Sequence, residues 1–600
     1  MRKRLIVLSL IALTGKSALA QEEVLITANR IPLPEESITE DYKVITREEI
    51  KKYGLTSIAD LLKYVSGVFI SSNGGFGQPT SVFVQGLGSE KVLVMVNGVP
   101  VYDPSTPKAS ANFNYIDLSN VERIEIIKGP QGALYGSEAI AGVINIITRK
   151  PKKREASLSV EGGKYKTFKE NLYFGLPLKE GYLAFSLTNF KTNGFSATNS
   201  KSSAYEPDND GYRYKTGWLS FGYEPTDWLR LKGDLKVKGA SVDFDANYPS
   251  YSIPKAKNTY DNLFTDLKLD ATLSERFAVS ATFGNNRDYR NTPYGVYDGI
   301  VRYASIQPTY YLFDNLFITG GVNYRQEVAE FGSQASAHLR SGFIEVHGSY
   351  GNLVATGALR RDLHSTFGGK TTYKLSLGYT LSKTLTTFKA QYGTGFRAPS
   401  LYELYAPRYG NRELKPENSE GYSLGISQKI PFLPLKVSLT YFKNRVWNLI
   451  DMPWWQGIYT YKNYNKAITE GAEVKGSLRL TEGVSLYGSY THLRAKDYNP
   501  ATNSWERLAR RPKFSYTLGL KGKIGKVNLS TWLLHYSDRE DGSHTLGGFT
   551  TYNCYLSYPV NEKVKIYLKG YNLTDKKYEL AYGYNTMGRA LFVGTTFTFR

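Results

Sequence analysis

From about residue 155 to the C-terminus, apolar and polar side chains alternate with a period of two, and nothing else in the chain restricts its fold so tightly. Segment 229–238 shows the pattern best. Leu229, Leu231, Gly233, Leu235 and Val237 fall on one face, and Arg230, Lys232, Asp234, Lys236 and Lys238 on the other. A helix would spread those charges around its circumference, whereas a strand sends successive side chains to opposite faces. Leu591, Val593, Thr595, Phe597 and Phe599 repeat the alternation at the C-terminus. Alternation alone also suits a soluble sandwich or propeller, so the medium around these strands has to be read from other features.

The first such feature is an export signal. Arg2, Lys3 and Arg4 precede the apolar run Leu5 to Leu13 and the small-residue site Ala18-Leu19-Ala20, which predicts a secretory signal peptide over residues 1–20 and a mature chain from Gln21. Beyond it no run approaches the roughly 18 consecutive apolar residues that a membrane helix needs. Any membrane crossing by such an exported chain must use strands. The 48 Tyr, 28 Phe and 56 Gly suit amphipathic strands with aromatic girdles. At roughly 20 residues per strand plus turn, residues 151–600 supply about 22 strands, a size whose lumen is plugged.

Residues 21–150 hold 12 basic against 15 acidic side chains and the signal holds four basic ones, so of the formal +21 about +20 falls on residues 151–600. The basic residues alternate with apolar ones and form no dense patch, which argues against nucleic-acid binding. Lipopolysaccharide phosphates, outer-membrane lipid and a polar lumen are the expected counterparts. The single cysteine, Cys554, excludes an intrachain disulfide framework and shares an alternating face with Tyr552, Leu556 and Tyr558, a lipid-facing structural position.

Before residue 150 the pattern differs. Residues 21–45 carry Pro32, Pro34 and several acidic side chains and are expected to form a mobile lead segment, interrupted only by Val24 to Ala28. Thr46 with Glu49, and Ser57 with Asp60, have capping-box spacing and predict two short helices, the second with Ile58, Leu61, Leu62 and Val65 on one face. Short strands are expected at Ser81 to Val84, Val92 to Val96, Val121 to Ile127 and Val143 to Thr148. Mixed helices and strands imply a small α/β domain over residues 46–150.

The segments Val82-Phe83-Val84-Gln85-Gly86, Val92 to Pro100, Val121 to Pro130, Tyr135-Gly136-Ser137 and Gly142 to Thr148 resemble the plug of TonB-dependent receptors. Gly395 to Leu401 with Asn411 to Ser419 resembles the barrel signature of the same family. The family usually has Arg at Gln85, Asp at Asn97 and Arg at Lys128, so these three departures put its plug-barrel salt bridges in question. Glu23, Val24, Leu25, Ile26, Thr27 and Ala28, followed by Asn29-Arg30, resemble the family's TonB box: physically, a β-prone hexamer able to add as a strand to a partner's sheet edge. The resemblance implies a transmembrane antiparallel β-barrel with an N-terminal α/β plug inside the lumen. It also implies an outer-membrane location in a diderm bacterium and TonB, with its inner-membrane energising complex, as partner. A monomeric transporter is expected, and no catalytic activity or catalytic cofactor. A passive porin or an outer-membrane hydrolase would lack both the box and the plug.

Within the family, Asp208 to Tyr212, Phe244 to Tyr248 and Tyr582 to Arg589 resemble BtuB-type cobalamin receptors, which implies cobalamin or another corrinoid as cargo. That resemblance also implies calcium ions held by Asp208, Asp210 and Asp245 in extracellular loops, with Asp243 compensating for two family aspartates near Ser196 and Ala256. By the same analogy the plug apex loops 73–80 and 102–110 face the substrate, with Asn73, Gly74, Gly75, Phe76, Gln78, Tyr102, Ser105 and the barrel's Tyr248 as contacts. A ferric-siderophore receptor of the same fold is the alternative, favoured by the basic barrel. Haem is disfavoured: the plug has no histidine, and His338, His347, His364, His492, His535 and His544 lack metal-ligand spacing. Gly15-Lys16-Ser17 lacks the first glycine of a P-loop and falls inside the signal.

Overall fold

The computed structural model describes residues 26–53, 57–248, 251–453, 457–500 and 502–599. The expected signal peptide and Glu23, Val24 and Leu25 of the box lie outside the described residues. None of the described helices is long and apolar enough to cross a membrane.

The N-terminal region begins with strands β1 (Ile26–Asn29) and β2 (Ile31–Leu33), then β3 (Asp41–Thr46), α1 (Arg47–Tyr53) and α2 (Ile58–Leu62). Strands β4 (Val68–Ser72), β5 (Thr80–Val84), β6 (Val92–Val96), β7 (Val99–Pro100) and β8 (Val121–Lys128) follow, then α3 (Gly132–Tyr135) and β9 (Gly142–Thr148). Both helices start where capping chemistry places them. The Thr46 hydroxyl accepts from Glu49 N–H at 3.3 Å while the Glu49 carboxylate accepts from Thr46 N–H, and Ser57 Oγ accepts from Asp60 N–H at 3.1 Å. Five strands form one sheet in the order β3-β8-β9-β6-β7, parallel only between β6 and β9, and β4 and β5 pair separately. Ile45, Ile58, Leu61, Val94, Ile124 and Ile144 meet in its core.

The lead segment differs from expectation. Residues 26–46 carry three strands, and β3 is an edge strand of the plug sheet, so the folded plug starts before residue 46. The acidic side chains that argued for a solvated tether find barrel lysines instead: Glu35 pairs with Lys436 at 2.8 Å, Glu40 with Lys374, and Asp41 with Lys475. Composition scores those carboxylates against water, whereas the lumen supplies counter-charges.

From Glu155 the chain forms a closed antiparallel barrel. Ser504–Arg507 and Phe514–Ile524 pair with successive stretches of Val484–Asn499, so they are two pieces of one stave and the barrel has 22 staves. The first stave, Glu155–Gly163, pairs with the last, Ala590–Phe599, from Ala156 opposite Phe599 to Gly163 opposite Phe592, and this seam closes the cylinder. Alternation decides what each face meets. Leu235 and Val237 point outward, while Asp234, Lys236 and Lys238 are buried against the lumen contents. Tyr552 and Tyr558 are outward-facing and Cys554 lies between them on that face. One rim has short turns such as 179–180 and 227–228, and the other has long connections at 196–209, 398–416 and 572–589. In barrels of this kind the short-turn rim is periplasmic and the long loops are extracellular.

Candidate functional site

The plug is held to the wall by buried charges. Lys128, fully buried, pairs with Asp41 of its own domain at 2.6 Å and with Glu473 of the barrel, and donates to the Ser66 carbonyl at 3.1 Å. Arg325 of the wall reaches Glu138 at 2.7 Å and Arg290 reaches Asp103 at 2.9 Å. In the loop 398–416, Ser400 and Glu403 cap the helix α4 (Leu401–Tyr405), and Arg397 spans Glu403 and Glu417, both at 2.9 Å. Lys91 of the plug joins that knot through Glu417 at 3.1 Å. Of the three departures in the plug motifs, Lys128 therefore keeps an ion pair with the wall. Asn97 donates to Asp234 at 2.9 Å and Asp266 at 3.3 Å, and Gln85 accepts from Asn444 at 3.3 Å, so both keep a polar bridge without charge.

Ile26, Thr27 and Ala28, the described part of the expected box, lie in β1, which folds back on β2 with Ile26 opposite Leu33 and Asn29 opposite Ile31. Arg30 turns the hairpin at φ 57°. Its guanidinium donates to the Leu134 carbonyl at 2.8 Å and lies 4.6 Å from the Tyr135 ring and 4.9 Å from the Phe343 ring. The box segment is thus pinned inside the barrel by one cation set between two aromatic faces.

The residues expected at the plug apex separate into two groups. Asn73 accepts from Arg510 at 3.3 Å, Gln78 donates to the Asp243 carbonyl at 2.7 Å, and Gly74 and Gly75 pack on Ala197 and Phe195. Gly77 has φ +76° against the Tyr212 ring, where a side chain has neither the backbone geometry nor the room. Phe76 sits among Tyr165 and Phe190, ring centres 6.4 and 5.8 Å away. This first loop reaches the outer loops as expected. Tyr102 and Ser105 instead turn into the plug-barrel contact: Tyr102 is buried, donates to Glu327 and lies under Arg325, and Ser105 is bonded to Asp103 and lies 3.4 Å from Arg290. The cause is Asp103 and Glu138, whose ion pairs with the wall draw this stretch of the plug outward. Tyr248 ends the strand Leu229–Tyr248.

The acidic loop region comes together only in part as expected. Carboxylate oxygens of Asp208, Asp245 and Glu206, a residue the motif did not single out, lie within 4.8 Å of one another. Asp245 also accepts from Thr198 N–H at 2.9 Å and lies 3.4 Å from Ser196 Oγ, so Ser196 stands beside the cluster. Asp210 is not one of the three and accepts from Ala197 N–H at 2.6 Å, and Asp243 pairs with Lys257 at 3.2 Å. Burial, with repulsion from Asp245 and Asp208, pushes the Asp210 carboxyl up to about 7, and desolvation beside Asp245 and Glu206 raises Asp208. The C-terminal segment closes over the same loop. Asn585 donates to the carbonyls of Ser196 and Thr198 at 2.9 and 2.6 Å, and Thr198 bridges to Tyr584. The three segments 208–212, 244–248 and 582–589, separate in sequence, therefore meet at one place on the outer rim.

Residues 150–573 match the family model for the TonB dependent receptor-like β-barrel, and residues 34–143 match that for the TonB-dependent receptor plug domain. The chain belongs to the TonB-dependent receptors. It is similar in structure to the siderophore receptor PirA from Acinetobacter baumannii, with a TM-score of 0.81 and 18% identity over 94% of this chain and 99% of that one. A mutant of the ferric enterobactin receptor PfeA from Pseudomonas aeruginosa gives 0.80 and 19% over 96% and 100%. FpvA of P. aeruginosa, bound to a heterologous pyoverdine, gives 0.77 and 16% over 96% and 88%. As a TonB-dependent receptor the protein resides in the outer membrane, takes a ligand and has TonB as its partner.

Sequence reasoning missed Glu206, Glu138, Asp103 and Arg325. Each acts through a partner far along the chain, Arg325 and Glu138 being 187 residues apart, and no local spacing marks them. Arg30 was visible as part of Asn29-Arg30 but its cage of Leu134, Tyr135 and Phe343 was not.

Proposed function

We propose that this TonB-dependent receptor imports a ferric siderophore. The observation that carries the reading is the fold shared over nearly the whole chain with receptors described as siderophore receptors. The formal charge of +21, concentrated in the barrel, adds an attractive field for an anionic iron chelate. Capture at the outer loops precedes the energised step, so affinity is independent of TonB.

A corrinoid is the second reading, favoured by one specific observation: the segments 208–212, 244–248 and 582–589, whose resemblance to cobalamin receptors was noted in the sequence, converge in space. In either reading we propose calcium at Glu206, Asp208 and Asp245, with Asp210 and Asp243 close by. Clustered carboxylates on a loop suit a hard, oxygen-seeking cation, and their mutual repulsion is what a cation relieves. Lipopolysaccharide around the barrel and a monomeric state complete the proposal.

Titration of the purified receptor with ferric enterobactin and with cyanocobalamin, each with calcium and with chelator, separates the readings. Submicromolar binding of the iron chelate and none of the corrinoid is expected. The reverse result overturns the siderophore assignment.

A further inference from the structure

We propose that cargo passes the plug along the seam where the first and last staves close, through two chambers separated by a Glu161–Lys569 gate, and that the lower chamber selects anionic cargo. The proposal rests on the siderophore reading and deepens it by locating the route and its charge preference.

Two cavities lie one above the other against the same stretch of wall. The upper one encloses about 60 Å³ between Asp60, Tyr64 and Phe76 of the plug and Thr551, Tyr571 and Phe592 of the barrel. The lower one encloses about 170 Å³ between Arg47 and Lys51 of α1 and Ser159, Lys169, Lys565 and Thr596 of the wall. Phe76, at the outer apex, borders the upper chamber, and Ser159 and Thr596, paired across the seam near the short-turn rim, border the lower. Glu161 lines both. It is bonded to Lys569 at 2.5 Å and accepts from Tyr567 OH at 2.9 Å, so the wall itself supplies the partition. At roughly 30 Å³ per water, neither chamber admits an iron chelate as it stands. This is the closed state.

The plug wall of both chambers is the part nearest the pulling point. Strand β3, α1 and α2 directly follow the box hairpin, and β3 is an edge strand joined to the sheet only through β8. A pull at residue 28 loads β3 first and α1 next, and withdrawal of α1 breaks the Arg47 bond to the Val121 carbonyl of β8, removes Arg47, Ile50 and Lys51 from the lower chamber, and leaves β9 and β6 paired. Once the ion pairs of Glu40 and Asp41 have parted, an edge strand peels one hydrogen-bonded pair at a time, each worth about 0.5–1.5 kcal/mol net.

The lower chamber also has a chemical preference. Arg47, Lys51, Lys169, Lys565 and Lys569 face it against the single carboxylate Glu161, with Glu155 near its floor. Among the described residues no carboxylate forms an ion pair with Lys51, Lys169 or Lys565. Once α1 leaves, the wall presents Lys169, Lys565 and Lys569 to whatever passes, which suits an anionic metal chelate and gives a neutral one no advantage.

The native cysteine faces outward, so Cys554→Ser provides a clean background for thiol mapping. Ser159→Cys and Thr596→Cys report the lower chamber and Thr551→Cys the upper, and Asn286→Cys and Thr469→Cys report the wall away from the seam, beside Tyr102 and Gly86 of the part of the plug that stays. Cells taking up the ferric chelate are treated with an anionic, membrane-impermeant thiol reagent, and chelate binding by each variant verifies its fold. At least tenfold faster labelling at 159, 551 and 596 during uptake, with none at 286 and 469, is expected. Labelling at 286 or 469, or no labelling at the seam while uptake proceeds, overturns the route. Lys565→Glu with Lys169→Glu is expected to slow ferric-chelate uptake about tenfold at unchanged affinity, with Lys565→Arg retaining the rate, and unchanged uptake by the double reversal overturns the charge preference. Failure of the unmodified receptor to import the chelate at all overturns the siderophore reading itself, and is seen before any cysteine is introduced.

Discussion

Barrel and plug are built from the same twenty side chains by opposite means. The barrel repeats one local rule: Leu235 and Val237 outward, Asp234, Lys236 and Lys238 inward, each stave bonded to the next. The plug has an apolar core of its own, yet it is fixed in place by a few buried ion pairs with the wall, among them Lys128–Glu473, Arg325–Glu138 and Arg290–Asp103. Apolar surfaces that part gain nothing from the water that enters between them, whereas the charges of a desolvated ion pair are rehydrated as they separate, which offsets much of the attraction lost. A domain that must stay shut for long periods and then move is better held by the second kind of bond. Permanence here comes from pattern and releasability from specific pairs.

The contrast is tested most severely at the tether. Ile26→Pro or Leu25→Pro removes a backbone donor from the segment we propose pairs with TonB, and energised uptake is expected to fall at least about 100-fold while chelate binding and barrel melting stay unchanged. Alanine at either position is expected to be milder, since the ladder is main-chain. Growth on limiting cargo beside whole-cell binding measures both, and undiminished uptake in the proline variants would place coupling elsewhere.

A smaller effect is expected at the lock. Lys128→Met leaves Glu473 buried without its cation and Asp41 with Lys475 alone, a cost of about 3–5 kcal/mol. Calorimetry should then show the plug transition moving down with the barrel transition in place, and increased leak of small solutes. If both transitions fall together, plug and barrel are one cooperative unit and the distinction drawn above fails. Smaller again, Arg30→Ala removes the cation between Tyr135 and Phe343 and frees the box hairpin, with about tenfold tighter binding of a TonB C-terminal fragment to the unliganded receptor expected, equivalent to about 1.4 kcal/mol.

The least of these effects concerns the acidic rim. With Asp210 raised to about 7 from the ordinary 3.8, the folded loop binds its proton more tightly than the unfolded chain does. That contribution is complete below about pH 4 and is lost as pH rises through 7, so without calcium the loop 196–209 should resist protease better at pH 5 than at pH 8. Calcium should close the gap at pH 8, and Asp210→Asn should flatten the dependence. Equal protection at both pH values without calcium would remove the acidic rim from the list of released elements.

How much of this was legible follows from the same contrast. The staves were readable because period two is written within ten residues, as in 229–238. The helices α1 and α2 were readable because Thr46/Glu49 and Ser57/Asp60 carry their caps three residues apart. The cluster at Glu206, Asp208 and Asp245 was half readable: its aspartates sit in a motif, but Glu206 joins only when the loop folds back. The ordering of residues 26–46 and the burial of Tyr102 were not readable. Both depend on lysines and arginines that the wall brings from far along the chain, and a carboxylate reads the same whether it faces water or Lys374.

The seam has a consequence for how such a molecule comes into being. Ser159 and Thr596, 437 residues apart, face one another across it, so the cylinder stays open until the final strand has been made and delivered. The plug precedes every stave in the chain and ends up enclosed by all of them. If the plug is in position first, the staves wrap around it, and the last strand acts as the clasp. A truncation of Ala590–Phe599 would leave two unpaired strand edges in the lipid at once.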